Sequence, residues 1–179
     1  MATNDLTVFG EVLFDHFPDG KRVLGGAPFN VAWHLQAFGQ RPFFISRVGD
    51  DDEGREIIAA MRAWGLTTDG VQRDAERSTG RVSVVFESGE PAYDIVHPCA
   101  YDAIEVSRPV DGGWLYHGSL ATRDPVSRRA LDALNGDDRV TVFVDVNLRD
   151  PWWDKSTVLA QLQRADWVKL NQDELRRIG

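Results

Sequence analysis

The sequence has almost no cysteine, no surplus of positive charge and no long apolar run, and each lack removes a class of protein. Cys99 is the single cysteine among 179 residues, which excludes an internal disulfide and a cysteine-rich zinc site and suits a reducing compartment. Lys and Arg number 20 against 28 Asp and Glu, a formal charge of −8, so a surface for nucleic acid or anionic lipid is disfavoured. No apolar stretch approaches membrane-spanning length, and the opening MATNDLTVFG lacks the basic-then-apolar order of a signal peptide. The expected location is the cytoplasm, with neither nucleic acid nor membrane as a partner. GxGxxG, Walker-A and GxSxG motifs are also absent, which counts against a dinucleotide oxidoreductase, a P-loop kinase and an α/β-hydrolase.

What is present is an alternation of short apolar runs with helical patterns. Strands are expected at 6–10, 43–49, 114–120, 140–146 and 167–170. Helices are expected from Pro28, over 53–65, around Pro125 to Leu134, from about Lys155 to Arg164, and from Gln172. Such alternation predicts an α/β fold, a mostly parallel sheet with helices on both faces. Two stretches, 11–24 and 80–97, alternate apolar and polar residues instead and turn at Pro18-Asp19-Gly20 and Ser88-Gly89-Glu90. They read as half-exposed antiparallel ribbons that together make a small β lid. Neither a repeat nor a linker divides the chain.

The stretch GGAPFNVAWHLQAFG, residues 25–39, places Gly25 and Gly26 directly before a helix that Pro28 opens and Gly39 ends. Paired glycines there either form a plain tight turn or bring main chain and unpaired helix N–H groups close to a ligand. In open α/β sheets ligands sit beyond the carboxyl ends of the strands, and polar residues cluster at three such ends. Glu11 and Asp15 follow the first strand, although Asp15 also fits the chemistry of the hairpin turn. Asp145, Asn147 and Arg149 follow the strand at 140–146 and share one face if the extended conformation continues. Asn171 and Glu174 follow the last strand, and their spacing alone favours a helix capping box. Asp50-Asp51-Asp52-Glu53-Gly54 reads as a solvated helix start, since its glycine and terminal acid do not match a calcium loop. His16, His34, His97 and His117 show no metal-ligand spacing, and Trp152 and Trp153 read as apolar anchors.

Taken in order, GEVLFDHFPDGKRVLGGAPFNVAWHLQAFG, RVGDDDEGREI, TGRVSVV, DVNLRDPWW and KLNQDEL resemble the ribokinase-like carbohydrate kinases, the phosphofructokinase-B family, and within it the bacterial fructokinases. The resemblance implies a three-layer α/β/α fold and ATP-dependent phosphorylation of a sugar, fructose first, with magnesium. It implies that Asp15, Gly25, Gly26, Asn30 and Arg149 bind the sugar. It implies further that Asp145, Asn147, Asn171 and Glu174 lie near the phosphates and the metal. The alternation of the lid ribbons leaves one apolar face, and a small isolated ribbon is marginal in water, so the ribbons are expected to pair two copies into a homodimer. Leu13, Val82, Val84 and Phe86 are the candidates for the covered face. The family continues for roughly another hundred residues, with a Gly-rich anion hole and the catalytic aspartate, and neither occurs here. The expectation is therefore a sugar-binding half without its own catalytic base. A non-catalytic sugar-binding protein, and 2-keto-3-deoxygluconate or another ketose as substrate, are the alternatives.

Overall fold

The computed structural model describes residues 6–87, 90–106, 112–136 and 138–179. Ten strands and five α-helices occur in it: β1 (Leu6–Phe9), β2 (Leu13–His16), β3 (Arg22–Gly25), α1 (Ala27–Ala37), β4 (Phe43–Gly49), α2 (Asp52–Ala63), β5 (Val71–Asp74), β6 (Gly80–Glu87), β7 (Glu90–Ile95), β8 (Gly113–His117), α3 (Pro125–Leu134), β9 (Val140–Asp145), α4 (Lys155–Leu162), β10 (Trp167–Lys169) and α5 (Gln172–Ile178). Short 3-10 turns occupy Ala100–Ala103 and Leu120–Arg123. The strand β5 lies in a stretch whose polar VQRD composition carries no alternating apolar signal.

Six strands form the main sheet in the order β10-β9-β8-β1-β4-β5, and every neighbouring pair in it runs parallel. The chain therefore winds outward from β1 in one direction through β4 and β5, then returns to the other side of β1 and winds through β8, β9 and β10. Helices α1 and α2 cover one face, where Phe29, Ala32, Ile57, Ile58 and Met61 pack with Val8, Phe44 and Val48. Helices α3, α4 and α5 cover the other, where Ala130, Leu131, Leu134, Val158 and Ile178 pack with Phe9, Ile45, Leu115, Val142 and Val144. Adjacent residues of one strand, such as Val8 and Phe9, thus serve opposite cores, as the strand's period of two requires. Right-handed crossovers put the helices of the two halves on opposite faces, and the reversal of direction leaves a topological switch point between β1 and β8. Both cores are tight: truncating the fully buried Leu115 to alanine is expected to cost about 2–5 kcal/mol.

A second sheet has the order β3-β2-β6-β7. The β2–β3 and β6–β7 ribbons are antiparallel, with Gly20 taking a positive φ of 84° at the first turn. The second turn, at Ser88-Gly89, lies outside the described residues, as does the side chain of Phe86. Where β2 meets β6 the pairing is parallel, so the sheet is mixed and not antiparallel throughout. Two local ribbons can each close by a short turn, but their junction is set by the main sheet from which both spring. The Asp-rich stretch at 50–54 is a helix start: Asp51 caps α2, accepting from the N–H of Gly54 at 2.8 Å and from both the N–H and the hydroxyl of Thr79.

Candidate functional site

A cavity of about 430 Å³ opens where the carboxyl ends of β1, β8 and β9 meet the inner face of the small sheet. Glu11 enters it from the end of β1. Gly26, Ala27 and Asn30 enter from the start of α1, and Leu13 and Asp15 from β2. Val82, Tyr93 and Ile95 come from β6 and β7, Leu120 from the turn after β8, and Asn147 and Arg149 from the loop after β9. The location is the switch point, where opposed crossovers leave a crevice open above the strands.

The backbone of the two-glycine segment is dictated by crowding. Gly26 has φ 110°, and a Cβ there would stand 2.5 Å from the carbonyl oxygen of Glu11, so the position combines a conformation and a closeness that only glycine tolerates. It is also the N-cap of α1 and makes no side-chain cap, and Pro28 lies in the first turn. Gly25 does not line the cavity; it sits on β3 opposite Leu13, and a Cβ there would come 3.2 Å from the Asp15 carboxylate. Its bareness leaves room for Asp15.

The cavity groups have open hydrogen-bonding capacity. Among the described residues the side chains of Asp15, Asn30 and Asn147 make no hydrogen bond to the rest of the chain, and Arg149 donates only to the neighbouring carbonyl of Leu148, at 3.3 Å. Burial raises the Asp15 carboxyl above its usual range, against the charges of Arg149 and His16. Burial raises Glu11 further, to about 7, against backbone N–H groups of Glu11 and Ala27 and the charges of Arg149 and Arg123. Asn147 holds a left-handed φ of 46°, a costly conformation for a side chain other than glycine and one that gathers at functional sites.

That kink corrects one expectation. The strand β9 ends at Asp145 and the extended conformation does not continue, so Asp145 parts company with Asn147 and Arg149. It is buried, accepting from the Tyr116 hydroxyl at 2.9 Å and from Lys169 Nζ at 2.8 Å on both oxygens. Asn171 and Glu174 do form the capping box of α5: Asn171 accepts from the N–H groups of Asp173 and Glu174, and Glu174 Oε2 accepts from the N–H of Asn171. The other Glu174 oxygen accepts from the N–H of Leu148 at 2.9 Å. Helix α5 thereby pins the loop that carries Asn147 and Arg149.

A second correction concerns the apolar face of the small sheet. Leu13, Val82 and Val84 are buried within the chain, the first two against this cavity, so they offer nothing to a second copy. Among the described residues, the exposed large apolar side chains of that sheet are Val23, Val85 and Tyr93. Tyr93 is a cavity residue that sequence reasoning did not nominate, whereas Glu11 was noted at the end of the first strand but not among the residues the resemblance places on the sugar. The signal for Glu11 is an acid one residue beyond Gly10, at the end of an apolar strand; for Tyr93 there is no signal, since its place depends on the register of β6 and β7. Elsewhere, among the described residues, His97, Asp102 and Asp124 are the one group with metal-ligating atoms close enough together, and there Asp102 is already paired with Arg123 at 2.7 Å.

No helix among the described residues is long and apolar enough to cross a membrane. The chain is similar to the fructokinase of Vibrio alginolyticus, with 30% identity over 189 residues, and to that of Klebsiella pneumoniae, with 33% identity over 192. Each alignment covers 96% of this chain and 62% of the relative, so the chain spans less than two thirds of their length. The solved fructokinase of Vibrio cholerae O395 superposes with a TM-score of 0.87 at 27% identity in its apo form, over 97% of this chain and 65% of that one. Its form with fructose, ADP and calcium ion bound superposes with a TM-score of 0.82 at 28% identity, over 97% of this chain and 62% of that one. The pfkB family carbohydrate kinase model matches residues 3–178, and with a doubly wound sheet and a small side sheet closing over the switch point, the chain belongs to that family.

Proposed function

We propose that this chain is the sugar-binding part of an ATP-dependent sugar kinase, and that its sugar is fructose, phosphorylated to fructose 6-phosphate. The observation that carries the reading is the convergence of Asp15, Asn30, Asn147 and Arg149, with their hydrogen-bonding capacity unused, in one cavity at the switch point. A sugar offers many hydroxyls and little apolar surface, and carboxylate and amide groups can accept from and donate to it in pairs. The relation to fructokinases, one of them known with fructose bound, favours fructose among neutral ketoses.

In this reading Asp15 and Asn30 hold the hydroxyls, Gly26 brings main chain close, and Gly25 leaves room for the Asp15 carboxylate. Arg149 stands at the edge where charge develops on the migrating phosphate. The small sheet acts as a lid that keeps water from the donor phosphate. ATP supplies the phosphoryl group. Magnesium does not fit an inner-sphere place on Asp145, Asn171 or Glu174, because both Glu174 oxygens and Asn171 Oδ1 are held by backbone N–H groups and Asp145 is paired with Lys169. Asn171 and Glu174 serve the phosphates indirectly, by fixing the loop at Leu148. Asp145, engaged by Tyr116 and Lys169, is not the general base for the attacking hydroxyl. A second copy would pair through the outer face of the lid, where Val85 is exposed.

The test is ADP release by the full-length protein across a panel of neutral and acidic sugars. Fructose-dependent turnover is expected, with Arg149→Ala lowering turnover more than it raises the apparent sugar constant. Turnover only with 2-keto-3-deoxygluconate, with Arg149→Ala acting mainly on the sugar constant, would replace fructose by the acidic sugar. Saturable sugar binding without any turnover would favour the non-catalytic alternative.

A further inference from the structure

Two neighbouring acids in the first turn of α2 are put to different use. Asp52 has a fully exposed side chain and pairs with Arg55 of its own helix at 2.8 Å, as an acid at a helix start commonly does. Glu53 is only 9% exposed and turns toward the small sheet, where three strands each send it a basic side chain. His16 of β2 brings Nε2 to 2.8 Å from Oε1, a close approach without hydrogen-bond alignment. Arg22 of β3 donates to Oε1 at 3.4 Å and, through its other terminal nitrogen, to Glu56 of α2 at 2.9 Å. Arg81 of β6 donates to Oε2 at 3.2 Å. Among the described residues, the ion pairs that join the small sheet to α2 all end on Glu53 or Glu56.

Strand periodicity puts this clamp on the back of the sugar site. Leu13 and Asp15 line the cavity, so Phe14 and His16 of the same strand face the other way. Phe14 enters the core under α1 and α2, and His16 meets Glu53. Along the ladders Asp15 stands opposite Val23 and Val82, flanked by the His16–Arg22 and Phe14–Arg81 pairs. The Asp15 side chain has no hydrogen bond of its own to the described chain, so its height over the cavity is set by the strand that carries it. We infer that Glu53 is a positioning residue for the sugar site: by clamping β2, β3 and β6 to α2 it sets where Asp15 stands over the cavity. This rests on the sugar-kinase reading and adds to it a residue that does not line the cavity. Because one carboxylate serves three basic groups, neutralising it frees all three strands at once and leaves Arg22 and Arg81 to repel each other. Each pair alone, with its arginine well exposed, contributes little.

The experiment is a double-mutant cycle read by calorimetric titration of D-fructose into the intact protein. Wild type, Glu53→Gln, Asp15→Ala and the two combined are compared, with Asp52→Asn as the control acid from the same turn. Glu53→Gln is expected to weaken fructose binding about fivefold, but by no more than about twofold once Asp15 is already alanine, since there is then no carboxylate to place. Asp52→Asn is expected to bind as wild type does. Hydrogen exchange of the sugar-free proteins gives a readout that needs no ligand: the amides of residues 14–16 are expected to exchange faster in Glu53→Gln, with those of β8 unchanged. Equal losses of affinity in the two backgrounds, or no loss in either, would overturn the inference while leaving the sugar-kinase reading intact. So would an Asp52→Asn protein that is weakened as much as Glu53→Gln. A wild type that does not bind fructose would remove that reading, and the inference with it. Should Glu53→Gln not fold, Arg81→Gln takes its place in the cycle: a loss seen only with Asp15 present supports the inference, and an equal loss in both backgrounds overturns it.

Discussion

Two polar clusters lie under the small sheet and its flanks, one closed and one open. In the closed cluster Arg123, with a side chain 3% exposed, grips Asp102, at 2%, through Nε at 2.7 Å and Nη2 at 2.9 Å. Arg123 also donates to the Val96 carbonyl at 2.8 Å, and its guanidinium lies over the rings of Tyr101 and Trp152. Asp102 further accepts from the N–H of Cys99 at 2.8 Å. In the open cluster Glu11, Asp15, Asn30, Asn147 and Arg149 surround a cavity and hardly bond to the protein at all. The first arrangement spends most of its capacity within the chain, Arg123 Nη1 and the Tyr101 hydroxyl excepted, and holds a fold together. The second keeps its capacity for something else, which separates a structural polar group from a binding one without appeal to residue type.

The comparison breaks most visibly under substitution. Asp102→Ala strands a buried guanidinium, and unfolding in urea should show a loss of about 3–5 kcal/mol. If the loss were below about 1 kcal/mol, the closed cluster would not be the stabilising one. Glu11 is expected to act in the opposite direction. Its carboxyl moves from an ordinary value of 4.5 to about 7 on folding, so the unfolded chain releases its proton first and stability falls as pH rises from 4.5 to about 7. Glu11→Gln should therefore stabilise the protein above pH 7 by up to about 3 kcal/mol and leave it unchanged below the unfolded pKa. Parallel stability-against-pH curves for the two proteins would contradict this.

How much of this was legible in the sequence differs between the same two clusters. The strand and helix alternation is local, so the doubly wound core could be read directly, and so could the capping box of Asn171 and Glu174. The positions of Asp15, Gly26 and Asn30 around one crevice required the family resemblance, because nothing in their spacing brings β2 against α1. The grouping of Asp145 with Asn147 failed on one dihedral: a left-handed Asn147 is invisible in an apolar strand that ends DVN. The closed cluster was not legible at all, since Asp102 and Arg123 meet only after the chain crosses from the small sheet into the second half of the main one. The apolar alternation of the ribbons was legible, but not which face the chain itself would cover.

A smaller effect sharpens the comparison from the side of the loop. Glu174→Gln keeps the size of the side chain but weakens the acceptor that holds Leu148 and Asn171. It should cost about 1 kcal/mol of stability while loosening the loop of Asn147 and Arg149, which hydrogen exchange at Leu148 would report. Unchanged protection at Leu148 would mean that the loop is held by other contacts.

The most direct test of the open cluster as a sugar site is titration of D-fructose into the intact protein and its Asp15→Ala and Asn30→Ala variants, with Asp102→Ala carried alongside at a temperature where it is folded. The account predicts that Asp15→Ala and Asn30→Ala each lose about 1–3 kcal/mol of binding free energy with little change in stability, and that Asp102→Ala binds fructose as wild type does. Undiminished affinity in both cavity variants, or loss of binding in Asp102→Ala alone, would contradict it.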